Sequence, residues 1–143
     1  MLNFAVSYGH VAALAVANFF LSWTWYSPVL FAKPWMIALG KDPAKMGPEF
    51  MTEAEKKMMP VLMLNGLLSS FAKVWVMAVL VASLSIQDAA TGIGLGILAW
   101  LGFTLTGSAD TLWEGRSPKV LMINNGLFVL TYAAFGGILA VWR

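Results

Sequence analysis

Four stretches of this chain stay apolar long enough to cross the hydrocarbon core of a bilayer, which takes about 20 residues. They cover roughly 4–26, 61–83, 90–113 and 119–142. None alternates as a barrel strand does, and unpaired backbone groups cannot face lipid, so each is expected to be a helix. The connection from Leu84 to Ala89 is short, which predicts an antiparallel hairpin of spans two and three. Glu114 to Pro118 is equally tight. The 27–60 connection is longer and more polar. Ser27-Pro28 closes the first span, and Phe31, Trp35, Met36 and Leu39 read as the apolar side of a surface helix whose Lys33 faces phosphates. Thr52-Glu53-Ala54-Glu55 fits a capping box that opens a short helix through Lys57. Pro60 suits the first turn of span two.

Two of the apolar stretches look alike. Residues 61–68 read Val-Leu-Met-Leu-Asn-Gly-Leu-Leu, and residues 120–128 read Val-Leu-Met-Ile-Asn-Asn-Gly-Leu-Phe. Trp25-Tyr26-Ser27-Pro28 precedes the first, and Trp113-Glu114-Gly115-Arg116-Ser117-Pro118 precedes the second. Asn65 and Asn124 thus hold matching places in two copies of one helix pair. The expected fold is an all-α membrane protein of four transmembrane helices, arranged as two parallel-repeat hairpins in a single domain, 1–143. A short interfacial or cytoplasmic helix lies between spans one and two. Each copy holds an even number of spans, so both enter the bilayer in one direction, and the pseudo-twofold axis lies along the membrane normal. A compact four-helix bundle follows.

Composition agrees with burial in lipid. Hydrophobic residues make up 59% of the chain, charged ones 11%, and the mean hydropathy is +0.75, so a soluble domain is excluded. There is no cysteine and one histidine, which removes disulfides, thiolate chemistry and a histidine-rich metal centre. The net charge of +2 comes from loop lysines and reads as a topology signal, not a nucleic-acid surface. The N-terminal Met1-Leu2-Asn3-Phe4 lacks a basic region, so the apolar run after it is expected to stay as a membrane helix.

Six polar residues fall where chemistry is possible. Asn18, Asn65, Asn124 and Asn125 lie within about 6–12 Å of the cytoplasmic ends of their spans, and Asp110 at a similar or shallower depth. Asn65, Ser69 and Lys73 share a face of span two, and Asn18 and Ser22 one of span one. Gly92, Gly96, Ala99, Phe103, Thr106, Gly107 and Asp110 form a stripe on span three. These faces are expected to converge on the bundle interior, as interhelical glue or as a ligand or ion site. Asp110 has Arg116 or Lys119 as its simplest partner. Lys73 is sharper: roughly 18 Å into span two, it has no acid at its depth, and His10 and Tyr132 are its nearest polar neighbours in height. It either snorkels along Trp75 and Met77, sits neutral, or lines a wet cavity.

Trp23, Trp25, Tyr26 and Trp113 mark one membrane interface and Trp142 the other. The nine methionines are dispersed and read as adaptable packing. Gly92-xxx-Gly96, Ala133-xxx-Gly137 and Gly136-xxx-Ala140 are flat faces, one for the bundle and one for an oligomer contact.

The segment Trp25-Tyr26-Ser27-Pro28-Val29-Leu30-Phe31-Ala32-Lys33-Pro34-Trp35-Met36 resembles the first signature of a small bacterial membrane family, the domain of unknown function 1761. Gly102-Phe103-Thr104, Leu112-Trp113-Glu114-Gly115-Arg116 and Ile123-Asn124 are similar to its second. The resemblance spans nearly the whole chain and implies a four-span integral membrane protein, with no activity to carry over. The chain departs from it at Lys73, where an apolar residue is expected, and at Asn125-Gly126-Leu127.

The function expected from these residues is non-enzymatic: a small solute or ion binding or permeation scaffold working as a homo-oligomer. The alternative is an accessory subunit of a larger membrane complex. An enzyme would need a nucleophile–base pair or a metal constellation that these residues do not supply. No cofactor, metal or nucleic-acid partner is expected; the bilayer is. Lys33, Lys41, Lys45, Lys56, Lys57, Arg116 and Lys119 lie on one side and Arg143 on the other, which places both termini outside the cytoplasm across a plasma membrane. Reporter fusions at the C-terminus should therefore report a non-cytoplasmic location, and a cytoplasmic signal would reverse this orientation.

Overall fold

The computed structural model describes residues 1–142; Arg143, the single basic residue of the opposite side in the charge argument, lies outside them. All regular structure among the described residues is helical. Helix α1 is Tyr8–Trp25 and α2 is Ala32–Ala38. Two short turns at Pro43–Lys45 and Pro48–Phe50 lead to α3, Glu53–Ser83. Helix α4, Ala89–Ala99, continues through a wide π turn at Trp100–Leu105 into α5, Thr106–Trp113. Helix α6, Pro118–Val141, completes the bundle. Three helices are long and apolar enough to cross a membrane: α3, the rod Ala89–Trp113, and α6. Helix α1 has 18 residues and is interrupted by His10, Asn18, Ser22 and Thr24.

The ends are set by local chemistry. Ser7 accepts the His10 N–H and starts α1 four residues later than the apolar run. The residues before it are held otherwise: Asn3 Oδ1 accepts the Ala5 N–H, and the Asn3 N–H donates to Ser83 Oγ at 2.7 Å. The capping box at Thr52 and Glu55 forms as expected. It opens α3 itself, however, not a separate short helix, and Pro60 lies inside that helix instead of at its start. Proline removes the donor that would meet the Lys56 carbonyl. Both residues are exposed, so solvent can take the place of the missing bond. Asp88 caps α4 through the Thr91 N–H at 2.8 Å, and this bond to the charged form holds the Asp88 carboxyl below its usual pKa. Ser117 and Pro118 open α6 after a turn in which Gly115 has φ 75°, a conformation that suits glycine.

Interhelical contacts define the directions. Asn3 meets Ser83 and Asn18 meets Ser70, so α1 and α3 are antiparallel. His10 stacks on Trp142 while Trp25 reaches Ile123, so α1 and α6 are antiparallel too. The α4–α5 rod runs against α6. The most extensive packing is α4 on α6, then α1 on α3. Helices α3 and α4 touch little despite their short connection, so the expected hairpin of spans two and three is a turn without a packed pair. One apolar core joins α1, α3 and α6, with Val11, Val74 and Met77 almost wholly enclosed. Residues 61–69 of α3 stand clear of it: all except Gly66 are exposed.

Glycine lets α4 and α6 meet backbone to backbone. A Cβ on Gly92 would collide with the Gly136 carbonyl and lie 2.8 Å from the Ala140 Cβ. One on Gly96 would collide with the Tyr132 carbonyl, and one on Gly137 would lie 2.9 Å from Ile93 Cγ1. Both flat faces read from the sequence are therefore consumed in this single contact, and neither is left for an oligomer. The stripe on span three also changes course. Gly92, Gly96 and Ala99 are buried as expected, but Phe103 is 80% exposed, and Thr106, Gly107 and Asp110 are exposed. The π turn adds a residue to the helical repeat, so Thr104, Ser108 and Thr111 take the inner positions.

Backbone carbonyls cannot move aside as side chains do. Gly96→Ala should lower stability in thermal unfolding by about 1–3 kcal/mol. Gly94→Ala, with open space around its Cβ position, should be neutral or stabilising by up to about 1 kcal/mol.

Candidate functional site

The polar residues gather in three hydrogen-bonded groups. In the first, Asn18, 1% exposed, donates from Nδ2 to Ser70 Oγ at 2.7 Å, clamping α1 to α3. Its Oδ1 is buried without a partner. Ser22 Oγ donates to the Asn18 carbonyl a turn below. In the second, Asn125 bridges α6 to the rod. Its Nδ2 donates to Ser108 Oγ at 2.9 Å and to the Leu121 carbonyl at 3.0 Å, while Oδ1 accepts from Trp100 Nε1 at 2.9 Å. The π turn is what brings Trp100 and Ser108 to the same asparagine. In the third, the Tyr26 hydroxyl donates to Asn124 Oδ1 at 2.7 Å, and Trp25 Nε1 donates to the Ile123 carbonyl at 3.1 Å. Gly126 leaves room for this indole: a Cβ there would lie 3.2 Å from Trp25 Cζ2.

Three residues of the expected layer lie apart from these groups. Asn65 is exposed, because the first half of α3 leaves the bundle. Asp110 is exposed on the outer side of α5, and Arg116 pairs with Glu114 at 3.0 Å instead. Lys73 is half-buried, its Nζ 4.8 Å from the centroid of Phe128 and 5.8 Å from that of Tyr132. It therefore turns toward α6 and its aromatic rings, not outward along Trp75. The six candidates do not converge on one interior site within a single chain.

The partners that complete the groups escaped the sequence reading. Ser70, Ser108 and Trp100 are the residues concerned, and Trp25 and Tyr26 were read as membrane anchors. The available signal was the motif itself: Trp25 and Tyr26 sit immediately before the helix-ending Ser27-Pro28.

Two cavities open at the ends of the bundle. One of about 370 Å³ lies between the N-terminal strap, α3 and α6, with Asn3, Ser7, His10 and Gln87 among its walls. His10 is stacked on Trp142 at 4.1 Å, and its Nδ1 has no partner. The other, of about 770 Å³, lies between the end of α1, α2, the turns that follow it and the start of α3. Tyr26, Ala32, Trp35 and Met36, from the segment that carries the family resemblance, line it. No group of His, Cys, Asp and Glu among the described residues could hold a metal ion.

With all the regular structure of its described residues helical and three helices long and apolar enough to span a bilayer, the chain has the make-up of a membrane protein. More closely, it belongs to the family described as "Protein of unknown function (DUF1761)", whose model matches residues 10–140. No curated protein and no solved structure matches the chain.

The satisfied and unsatisfied asparagines should respond differently to substitution. Asn125→Leu strands the Trp100 N–H and Ser108, and should cost at least about 1–3 kcal/mol in unfolding measurements in detergent. Asn18→Leu breaks one bond but removes a buried acceptor that has no partner. It should cost less, near the roughly 0.6 kcal/mol typical of hydrogen bonds between membrane helices. Equal losses would contradict the bonding described here.

Proposed function

We propose that this is a non-enzymatic, four-span protein of the plasma membrane that works as a homo-oligomer. It binds or passes a small polar solute or ion at the contacts between its copies. The observation that carries this reading is the placement of Asn65, Ser69 and Asp110. All three are exposed on helices long and apolar enough to cross a membrane. Polar and ionised groups are costly in hydrocarbon, so such residues in spanning helices face protein or water. Among the described residues, 61–69 stay exposed except for Gly66, which lies against Phe19, and a second copy is the simplest cover for the rest. Amide oxygens and a carboxylate gathered there could replace part of a hydration shell.

Two further observations support the four-span, duplicated arrangement. Helices α1 and α4–α5 run in one direction, and α3 and α6 in the other, as two parallel copies of a hairpin require. Each half is also clamped by one asparagine–serine bond, Asn18 to Ser70 and Asn125 to Ser108. The basic residues of 27–60 and of the α5–α6 turn then lie together on the cytoplasmic side, with both termini opposite.

Native mass spectrometry from mild detergent should show a dimer or larger species, and proteoliposomes should leak or take up at least one common ion or polar solute. Asn65→Leu and Asp110→Leu should each at least halve that flux while leaving the fold intact by circular dichroism. A monomer without flux overturns the reading. Consistent isolation with a larger complex would replace it with an accessory-subunit role.

A further inference from the structure

The smaller cavity lies at the end of α3, away from the exposed first half of that helix, and no Lys, Arg, Asp or Glu stands among its described walls. Its floor is the end of the apolar core, where Ala78, Val81 and Leu139 are buried. Its rim is polar but uncharged, made by Asn3, Ser7, Ser85 and Gln87. His10 and Trp142, stacked at 4.1 Å, add flat aromatic surface at one side. Asp88 follows Gln87 in sequence, but it caps α4 and is not a wall residue.

One wall residue holds a backbone conformation that its type rarely adopts. Ser85 has φ 53°, and among the described residues other than glycine it alone has a positive φ. It ends α3: its N–H donates to the Ala82 carbonyl, and the Ile86 N–H donates to the Val81 carbonyl. At a helix end bonded in this way glycine is the usual residue, because it carries no strain there. Serine in its place sets a hydroxyl on the cavity wall. Among the described residues the side chains of Ser85 and Gln87 make no hydrogen bond, and that of Asn3 bonds through Oδ1 alone, to the Ala5 N–H. The rim therefore keeps most of its bonding capacity for a guest.

We propose that this cavity binds a neutral, polyhydroxylated molecule the size of one sugar ring. Asparagine, glutamine and serine side chains both donate and accept hydrogen bonds. Hydroxyl groups do the same, so a ring of hydroxyls can meet this rim whichever way each bond runs. The C–H faces of such a ring suit the apolar floor and the rings of His10 and Trp142. The volume of about 370 Å³ lies within the range of small-molecule sites, and it equals the liquid share of about a dozen waters. An ion would leave water for a rim that holds no opposite charge, a loss that neutral groups do not offset. A wholly apolar guest would leave the rim unbonded.

The test uses the full chain in a detergent without a sugar headgroup and equilibrium dialysis against radiolabelled glucose at neutral pH. Binding should be saturable, at one glucose per chain. Glucuronate and glucosamine, which add a negative or a positive charge to the same ring, should compete more weakly than unlabelled glucose. Nicotinamide, a flat neutral amide, should also compete more weakly. Gln87→Ala and Ser85→Gly should each weaken binding about fivefold, as the loss of one hydrogen bond would. Ser85→Gly should leave thermal stability unchanged or raised, because glycine relieves the positive φ, so a weaker affinity there reports the hydroxyl and not the fold. Lys33→Gln, exposed on α2 and not a wall residue, should bind as the wild type does. Absence of saturable glucose binding to the wild type would overturn the proposal. So would any of the three competitors matching glucose, or wild-type affinity in both wall variants. Because the readout is binding to the chain in detergent, it is independent of flux and of oligomer size.

Discussion

The approach of α4 to α6 through Gly92, Gly96 and Gly136 is the constraint on which the other contacts depend. Helix association in lipid gains little from the hydrophobic effect, so dispersion between closely apposed backbones has to supply much of it. With the two helices in contact, α6 is held in one position along the rod, and its asparagines come into register. Asn125 then reaches Trp100 and Ser108, and Asn124 meets Tyr26. The second of these bonds fixes the end of α1, and with it the aromatic wall of the larger cavity. A packing contact made by residues without side chains thus positions groups at a distance from it.

Polar bonding adds specificity to this frame. Lipid offers no water to satisfy an amide, so an asparagine inside the bundle favours the one arrangement in which it is bonded. Asn125 is fully used, whereas Asn18 keeps one oxygen idle. Lys73 has no ion pair among the described residues and rests against Phe128 and Tyr132, whose ring faces offer it a weak electrostatic partner.

Much of the fold was legible because apolar length and turn chemistry are local. The runs ending at Ser83 and starting at Ala89 and Pro118, the box at Thr52 and Glu55, and the glycine contact of α4 could all be read from neighbouring residues. What could not be read depends on the third dimension. Pro60 is tolerated because its surroundings are exposed, a property no local pattern records. The π turn arises inside an ordinary-looking apolar run. Of the candidate residues, Asn18, Asn124 and Asn125 lie among helices, but Asn65 matches Asn124 in sequence and not in surroundings. Resemblance between two segments conveys helix faces, not what each face packs against. The larger cavity was hidden for a different reason. It draws on α1, α2, the connecting turns and α3, and only folding brings Trp23 and Met59 to the wall of one cavity.

The widened turn at Trp100–Leu105 has a consequence of its own. It works as a vernier between the two ends of the rod, since each residue of helix is worth about 100° of rotation. Were the same residues wound at ordinary α pitch, α5 would turn by about 100° and swing Asp110 inward while Ser108 turned away from Asn125. The polarity of the surface that this rod presents to its surroundings is thus set by a single extra step of backbone.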